Sequence, residues 1–591
     1  MTITTTVQLF ESVVGPFRSQ SRKLPALDSA IIVIDEPQAI PIGWRPLVAR
    51  AIETLVERDD AIVLLMTATQ PFLLNNGYEG SVEAGTNSSD TEDASAGDDN
   101  DSDERDGSGS DRNVVDLIPA PTLAEIERTA CKEAGIEAVP NRVIYEFHES
   151  ALPEASTSRN DHADRDRPPR DGEYEREYER GHRDQDETEN KNDTKSQATG
   201  GDGNEAASLS HAAAGERIGA AFAADREPAL AICNTVNSTR RLTDALETSL
   251  HEAEIEPLSV GRRYDELIDR DSTESSRNAL TANNLLEAIG ASSDVEAASG
   301  GEQDRESGAA TVPVFHLTRR VPAAKLSTLI EAAAMLAERG VPHLVVSTQL
   351  VEAGVDISYQ RVYRDFAPLD SIVQAAGRCN RSFEWGIDGG RIHVWALEPL
   401  GEKEGSRSPA EQVYATDRAD VSVRTNTLKR SRAALEPLAS RVVLREADLR
   451  EAVETYHTEL SDDLAGVTAA DDDLLAAYER GDGRTLRFAS LIEERFEVDV
   501  VVCMTMGDRQ LVSNLREHID DEEWAEATEV RRHLTRLSVA VPVYSLDSDR
   551  WRRLAALQQL TPAHGGDERV IDFDSELLSA RDGIRLDETD G

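Results

Sequence analysis

Residues 345–381 decide the fold: they begin VVSTQLVEAGVDIS and end QAAGRCNR. The apolar start predicts a buried strand that ends in the polar pair Ser347 and Thr348. Further along, Gln374 precedes two arginines, Arg378 and Arg381, that are three positions apart. A guanidinium has a permanent charge and a rigid fork of donors that matches phosphoryl oxygens. The spacing predicts a site that stabilises a phosphate during its transfer, although arginines on the solvated face of an ordinary helix would give the same pattern.

A second motif follows an apolar run near the start, where residues 30–34 read AIIVI. An unbroken apolar run fits a strand that is buried on both faces, as in a parallel sheet covered by helices. Asp35 and Glu36 follow directly, at the edge of such a sheet where ligands bind. There Asp35 can hold Mg²⁺ and Glu36 can orient or deprotonate an attacking water. The alternative is a chance pair, because the chain has 112 acidic residues.

Residues 61–66 (AIVLLM) form another apolar run, which ends before Thr67 and Thr69. Residues 47–58 lie between the two runs and have helical spacing. The segment therefore predicts a strand, a helix and a parallel strand joined by a right-handed crossover. The two threonine hydroxyls would face Asp35 and Glu36 and would couple the state of a bound nucleotide to domain movement.

The motifs DEPQ, TATQP, STQLVEAGVDIS and QAAGRCNR occur in this order, and the order resembles that of the superfamily 2 helicases. More narrowly, the chain resembles the CRISPR-associated helicase-nuclease of type I interference systems, the motor recruited by the Cascade surveillance complex. Four further segments carry this resemblance: TTTVQLFESVV at 4–14, the acidic box DEPQ at 35–38, ALAICNT at 229–235 and HLTRRVPAAK at 316–325. The fold that the resemblance implies is α/β, with two RecA-like parallel-sheet lobes.

The resemblance implies an ATP-dependent translocase or helicase on single-stranded DNA, with ATP and Mg²⁺ bound between the lobes. Arg378 and Arg381 would be supplied from the second lobe, and Gln374 would help to place them. Gly354 and Asp356 would contact the nucleotide sugar or belong to the network that couples the lobes.

The resemblance also implies contacts with the DNA backbone. Ser347 and Thr348 would touch it, because hydroxyls and amides position a strand without reading its sequence. The loop in HLTRRVPAAK would add positive charge from Arg319, Arg320 and Lys325.

Two features of the family are not found in this sequence. Its motors need a phosphate-cradling loop, G-x-x-x-x-G-K-[S/T], which in the family precedes the TTTVQLFESVV segment. The lysine that is followed by serine, Lys195, has no glycine-rich approach. The family's N-terminal metal-dependent nuclease domain has an adjacent His-Asp pair, and no such dipeptide occurs here. The chain thus resembles a member that lacks the HD nuclease domain and the Walker A loop.

Three hypotheses about activity stay open at this point. The first is an active helicase, completed by a separate chain that carries the phosphate loop and nuclease. The second is a non-catalytic DNA- or Cascade-binding remnant. The third is a fragment of an interrupted gene or a misplaced start codon, for which we expect a glycine-rich loop encoded upstream of Met1.

The net charge of −49 would ordinarily argue against a nucleic-acid partner. However, the acidic residues are spread over the whole chain and arginine takes the place of lysine. This pattern is typical of proteins from halophiles, whose internal salt is molar. At 1 M salt the Debye length is about 3 Å, so distant acidic charge repels DNA little. Contacts with DNA then depend on local cationic side chains.

The four cysteines are far apart and show no metal-ligand pairing, which fits a reducing cytoplasm. The apolar runs are shorter than the ~20 residues that cross a membrane, and no signal peptide is visible. We therefore expect a cytoplasmic protein with no membrane partner.

The alternation of apolar runs and polar segments predicts the domain organisation. Four runs in the second lobe, ALAICN, VPVFHL, HLVVST and RIHVWAL, predict strands of a parallel sheet. Polar segments too poor in apolar residues to fold alone predict disordered inserts. The predicted parts are a partial first lobe at 1–150 (insert 80–112), a disordered acidic linker at 151–215, a second lobe at 216–400 (insert 271–310), and a mostly helical accessory domain at 408–591.

Overall fold

A computed structural model gives the fold of the chain. It describes residues 5–14, 24–35, 37, 40, 44–66, 141–152, 208–278, 280–291, 310–352, 355–401, 406–414, 427–441, 443–465, 470–486, 497–543, 545, 546, 548–562 and 567–586. The helices in these residues are α1 Thr6–Val14, α2 Arg45–Asp59, α3 His211–Asp225, α4 Val236–Glu252, α5 Val260–Leu267, α6 Ala282–Ala288, α7 Ala323–Glu338, α8 Leu369–Ala376, α9 Pro409–Tyr414, α10 Thr427–Leu435, α11 Glu446–Ala465, α12 Ala470–Arg480, α13 Gly483–Leu486, α14 Met506–Asp520, α15 Trp524–Thr535 and α16 Asp549–Ala555. The strands are β1 Ile31–Asp35, β2 Ile62–Met66, β3 Val143–Phe147, β4 Ala229–Ile232, β5 Ile255–Ser259, β6 Ala310–Leu317, β7 Leu344–Ser347, β8 Arg361–Asp365, β9 Gly390–Trp395, β10 Val443–Arg445, β11 Glu497–Cys503, β12 Ser538–Pro542, β13 Gln558–Gln559, β14 Arg569–Asp572, β15 Leu578–Ser579 and β16 Gly583–Ile584.

The dominant element is an eight-stranded sheet with the strand order β10-β3-β9-β8-β4-β7-β6-β5. All neighbours from β3 to β5 are parallel, and the edge strand β10 is antiparallel to β3. Alternate residues of β4 enter separate apolar cores, Leu230 on one face and Ala231 on the other. This two-sided burial is the expected state of a parallel sheet with helices on both faces. The α/β prediction is confirmed, and the four predicted strands are β4, β6, β7 and β9.

The large sheet changes the predicted boundary between the lobes. Strand β3 was expected in the first lobe, but it pairs in parallel with β9, with Val143 opposite Gly390. Ala151 and Leu152, expected in the linker, are buried in the same core as β3. Helix α3 begins before the predicted end of the linker at residue 215. The second lobe therefore takes strands and helices from both sides of the acidic segment.

The predicted insert at 271–310 is partly folded. Residues 282–288 form α6, whose Leu285 and Leu286 are buried against the main core. Thr281 begins the helix by accepting a hydrogen bond from the backbone N–H of Asn284, a common N-cap arrangement. The prediction missed this helix because two leucines in a polar segment gave too weak a periodic signal. The insert at 80–112 lies outside the described residues.

Helices α1 and α2 and strands β1 and β2 form a smaller unit with its own core. The two strands are parallel, with Ile31 opposite Ile62. Ile32 and Ile34 point into a core with α1 and α2, which also receives Ala477 and Leu486 from α12 and α13. The strand, helix and strand predicted for this segment are confirmed. The prediction that β1 is buried on both faces is wrong for the described residues, because its alternate side chains are exposed.

The C-terminal region contains a second sheet, with the strand order β12-β11-β14-β13. The strand-like segments near residues 500 and 540 are thus part of one sheet, and α14 packs beside it. Asp508, on the first turn of α14, accepts hydrogen bonds from the hydroxyl of Ser275 and the N–H of Ser276. Asp508 also completes a capping box with Thr505. These contacts fix the C-terminal region directly to the second lobe.

Candidate functional site

The carboxyl ends of β4 and β8 carry a buried polar network. Asn234 follows β4, and its Nδ2 donates to Asp365 Oδ2 at 2.6 Å and to the carbonyl of Phe366 at 2.8 Å. Arg364 Nη1 donates to Asn234 Oδ1 at 2.7 Å. The network is fixed further by Tyr414 of α9, whose hydroxyl accepts from Arg364 Nη2 at 3.3 Å. Buried polar groups need such partners, and here the strand ends supply them.

Arg364 forms a buried ion pair with Glu352. Its Nε lies 2.9 Å from Glu352 Oε1, and both side chains are buried. Burial raises the pKa of Glu352, and the charge of Arg364 opposes that rise. Removing one member of a buried ion pair destabilises the fold strongly, because the remaining charge stays buried with neither a partner nor water around it. It therefore holds the segment at Glu352 against β8.

Asp365 is the second buried acid of this network. Burial raises its pKa to about 6, and the N–H of Leu397 and the charge of Arg364 oppose the rise. The Leu397 N–H donates to Asp365 Oδ1 at 3.1 Å. These contacts tie β8 to the residues that follow β9.

The two motif arginines are both bound to the segment that begins at Glu352. Arg378 Nη2 donates to the backbone carbonyl of Glu352 at 2.6 Å. Arg381 Nη1 lies 2.8 Å from Asp356 Oδ1, and the Arg381 N–H donates to Ser358 Oγ at 3.0 Å. Helix α8 ends at Ala376, so both arginines lie beyond it. The alternative in which they occupy the solvated face of a helix is therefore wrong.

Arg381 and Asp356 form the exposed part of this arrangement. The Asp356 side chain is 91% exposed and that of Arg381 is 43% exposed, whereas Arg378 is half-buried. An exposed pair of this kind contributes little to stability. Gln374 is half-buried in the last turn of α8, before the two arginines.

The first-lobe candidates are only partly within the described residues. Asp35 is the last residue of β1, is exposed and lies opposite Met66 in the register. Glu36, Thr67, Thr69 and Gly354 lie outside the described residues. Their predicted roles stay predictions.

Ser347 and Thr348 are arranged differently from the DNA-contacting pair that was expected. The Ser347 hydroxyl is fully buried and lies within hydrogen-bond distance of the carbonyls of Leu317, at 3.0 Å, and Thr348, at 2.9 Å. The backbone N–H of Thr348 donates to the carbonyl of Leu317 at 3.3 Å. Ser347 thus joins β7 to the end of β6, and its hydroxyl is not presented to a ligand.

The predicted DNA contact of Lys325 also needs correction. Lys325 is buried, and its Nζ donates to Asp265 Oδ1 at 2.6 Å and to the carbonyl of Ala580 at 2.8 Å. The ammonium also lies 5.4 Å from the centre of the Tyr264 ring. Burial lowers the pKa of Lys325, and the charge of Asp265 opposes this. The lysine therefore joins the lobe to the C-terminal hairpin and does not face a strand of DNA.

The hairpin of β15 and β16 covers much of the predicted basic loop. Arg320 is buried, and its carbonyl accepts the N–H of Ile584 at 2.9 Å. Asp582 lies at the turn, 3.8 Å from His316 Nε2, and pairs with Arg585. Burial lowers the pKa of His316 to about 3. Arg319 is exposed, so it remains available for the predicted DNA contact.

Sequence reasoning missed four members of the site: Glu352, Arg364, Asp365 and Tyr414. Glu352 lies inside the quoted VEAGVDIS motif, but a single acid in a motif shows no partner. Arg364 and Asp365 are the last two residues of β8, and this adjacent pair of opposite charges at a strand end was the one signal available. Tyr414 comes from a distant helix and gave no local signal.

Among the described residues, no group of three or more His, Cys, Asp or Glu side chains could hold a metal ion. None of the described helices has both the length and the apolar character needed to span a bilayer.

Comparison with known proteins shows which protein family the chain resembles. The family described as "CRISPR-associated nuclease/helicase Cas3, C-terminal" matches residues 225–384, which include the arginine pair and its partners. A curated Haloferax volcanii protein, "CRISPR-associated nuclease/helicase Cas3", is 30% identical over 556 residues, covering 92% of this chain and 51% of that protein. The chain thus spans about half the length of this relative.

The solved structure of T. fusca Cas3 has the same fold at low sequence identity. The crystal structure of T. fusca Cas3 is 14% identical, with a TM-score of 0.50, over 99% of this chain and 56% of that one. A T. fusca Cas3-ADP structure is 14% identical, with a TM-score of 0.49, over 98% and 56%. The sequence relationship, rather than these structures, carries the comparison: residues 225–384 match the C-terminal part of the Cas3 nuclease/helicases of CRISPR systems, and the chain resembles a curated member over 92% of its own length.

Proposed function

We propose that the chain is the motor part of an ATP-dependent translocase or helicase on single-stranded DNA in CRISPR defence. One observation carries the proposal: Arg378 and Arg381 lie beyond the end of α8 and are both held by residues 352–358. Arginines fixed in advance at the edge of a parallel sheet can stabilise charge that develops on a phosphoryl group. The family relationship supports the same function.

The residues would divide the work between the two lobes. Arg381 is exposed and would exchange Asp356 for a nucleotide phosphate, while Arg378 would keep its Nη2 on the Glu352 carbonyl and hold its positive charge beside the same phosphate. Asp35, exposed at the end of β1, would hold Mg²⁺, which neutralises phosphate charge when bound. A single carboxylate is sufficient for this ion when phosphate oxygens complete its coordination. Glu36 would orient the attacking water.

This sequence has no G-x-x-x-x-G-K-[S/T] pattern, and the proposal assigns the phosphate loop to a separate chain. We propose that such a chain also carries the nuclease, and that a Cascade-type surveillance complex recruits the assembly. The missing pattern equally favours a second candidate, a non-catalytic DNA- or Cascade-binding remnant or a fragment of an interrupted gene. The two candidates differ in whether the assembly hydrolyses ATP.

The test is DNA-stimulated phosphate release in molar KCl. The chain is assayed alone and with the part of the H. volcanii relative that it does not match. The motor proposal expects release only from the mixture, and its loss in Arg378→Ala. Arg552→Ala, on an exposed helix surface, is the matched control and should keep full release. No release from the mixture would favour the non-catalytic candidate, and release from the chain alone would remove the need for a partner.

A further inference from the structure

Two segments of the chain contain no acidic residue, although the chain as a whole is strongly acidic. Of its 591 residues, 112 are Asp or Glu. None of these acids lies in residues 307–330, which include β6 and the predicted basic loop. None lies in residues 530–546 either, which include the end of α15 and β12. Solvated surface in such a chain ordinarily carries acidic side chains, so both segments depart from its general composition.

The fold brings these two segments into contact. The backbone N–H of Ala324 donates to the carbonyl of Arg536 at 2.9 Å. Ala324 is also buried in an apolar core of the C-terminal region, together with Val501 and Leu537. The two segments therefore meet at a packed junction between the second lobe and the C-terminal region, and this packing fixes their relative positions.

Each segment presents one exposed arginine near this junction. Arg319 lies in a turn in which the Val321 N–H donates to the Thr318 carbonyl at 3.1 Å, and Arg536 is the C-cap of α15. Both arginines are exposed. Within the part of the chain that the structure describes, neither side chain has a hydrogen bond, an ion pair or a ring contact. We refer to Arg319 and Arg536 as the basic seam.

Charged groups around the basic seam are already neutralised. Arg531, also on α15, lies 2.6 Å from Glu568. Asp582, the acid of the hairpin that covers the basic loop, is buried and pairs with Arg581. The two arginines of the basic seam thus keep uncompensated positive charge, which attracts an anionic ligand.

A helix C-terminus offers a simpler explanation for one of these arginines. A cation there is stabilised by the helix dipole, so Arg536 could serve α15 alone. That role would affect the stability of the helix and would leave the affinity for a ligand unchanged. It also gives no reason for the acid-free segment that contains Arg319.

We propose that the basic seam binds phosphates of one single strand of DNA, so that the C-terminal region and the second lobe contact the same strand. A guanidinium matches phosphate oxygens with its fork of donors, and such contacts position a strand without reading its sequence. Arg536 adds a contact from the C-terminal region to the one predicted for Arg319. The inference rests on the DNA ligand of the proposed function, but it requires neither ATP nor hydrolysis.

The experiment measures binding of the full chain to a fluorescein-labelled oligothymidylate by anisotropy, without nucleotide, between 0.2 and 1 M KCl. The logarithm of the affinity falls linearly with the logarithm of the salt concentration, with a slope of about 0.7 for each phosphate contact to a single strand. Arg536→Met should therefore lower the slope by about 0.7 and weaken binding about threefold at 0.2 M KCl. Arg536→Lys should keep the wild-type slope, and the double variant with Arg319→Met should lose about 1.4. Circular dichroism at each concentration checks that the variants stay folded.

The matched control is Arg531→Met, because Arg531 is an exposed arginine on the same helix that already has an acidic partner. Its slope should equal that of wild type. An equal decrease of the slope in this control would overturn the inference, because it would be an effect of net charge. Polyglutamate that binds with the same dependence on Arg536 would also overturn it, in favour of an acidic protein ligand.

The same data separate this inference from the proposed function. A wild-type slope in Arg536→Met together with a lower slope in Arg319→Met would overturn the inference and leave the proposed function intact. The expected slopes in a chain that releases no phosphate from ATP would support the inference and contradict the motor. The absence of DNA binding by wild type would contradict both the inference and the DNA ligand of the proposed function.

Discussion

The guanidinium of Arg364 lies 2.9 Å from the carboxylate of Glu352, and neither side chain is accessible to solvent beyond a few per cent. The backbone carbonyl of the same Glu352 accepts a hydrogen bond from Arg378. A buried ion pair therefore sets the position of the group that holds a motif arginine. In the proposed function, Arg364 and Glu352 would act through Arg378 as positioning residues.

Arg364→Met should destabilise the second lobe strongly. It leaves Glu352 buried without its partner, and the loss of one member of a buried pair costs about 3–5 kcal/mol. Arg391→Met on the neighbouring strand removes a partly exposed pair with Glu146 and should cost less than about 1 kcal/mol. Urea unfolding followed by circular dichroism measures both. Similar losses of unfolding free energy in the two variants would show that the buried pair of Arg364 and Glu352 stabilises the fold no more than an exposed pair does.

Gly583→Ala should weaken the packing of the C-terminal hairpin of β15 and β16 against Arg320. Gly583 has a φ of 73°, and a β-carbon there would overlap the backbone carbonyl of Arg320. Gly340 has a φ of 64° but no atom near its β-carbon position, so Gly340→Ala tests conformational strain alone, about 1 kcal/mol. Limited proteolysis should cut near the C-terminus of the first variant and not of the second. Equal protection of both would mean that the hairpin tolerates the overlap.

Asp365 predicts a pH dependence of stability. Its pKa in the folded protein is about 6, above the usual value, so the folded state holds the proton more tightly than the unfolded state. Its contribution is therefore full below pH 4 and falls as pH rises through 6, by up to roughly 3 kcal/mol. Asp365→Asn should remove this dependence of the free energy of unfolding on pH between pH 4 and pH 8. Urea unfolding of the variant and of wild type across this pH range measures the difference. A parallel pair of pH curves would contradict the assignment.

Arg319 and Lys325 should differ in their effect on DNA. Arg319→Met should weaken single-stranded DNA binding and lower its salt dependence, because an exposed cation contacts phosphate. Lys325→Met should leave DNA affinity unchanged and lower stability, because its ammonium is buried against Asp265. Fluorescence anisotropy at several KCl concentrations separates these results. A loss of DNA affinity in a folded Lys325→Met protein would restore the original prediction.

Much of the fold could be predicted because strands β4, β6, β7 and β9 are rich in apolar residues. Strand β8 was not predicted, since Arg364 and Asp365 place charges inside it that only a network across the sheet can satisfy. Strand β3 was assigned to the wrong lobe, because pairing between segments about 250 residues apart leaves no mark in local sequence.

The candidate site was also predicted only in part. The motif spacing indicated Arg378 and Arg381, and the family resemblance indicated Asp356. The structure pairs Asp356 with Arg381 and places Arg378 on the carbonyl of Glu352. Lys325 was misjudged, because a lysine in a basic loop has the same sequence signal whether it is exposed or paired with a distant acid. Its partner Asp265 and the covering hairpin lie far away along the chain.

The central claim is that the motif arginines bind the terminal phosphate of a nucleotide. Its most direct test compares the affinities for ATPγS and ADP of the complex between the chain and the unmatched part of the H. volcanii relative. The account predicts a preference for the triphosphate in wild type and in Arg552→Ala. It predicts that Arg378→Ala and Arg381→Ala lose this preference and keep the affinity for ADP. An unchanged preference in both arginine variants would contradict the account.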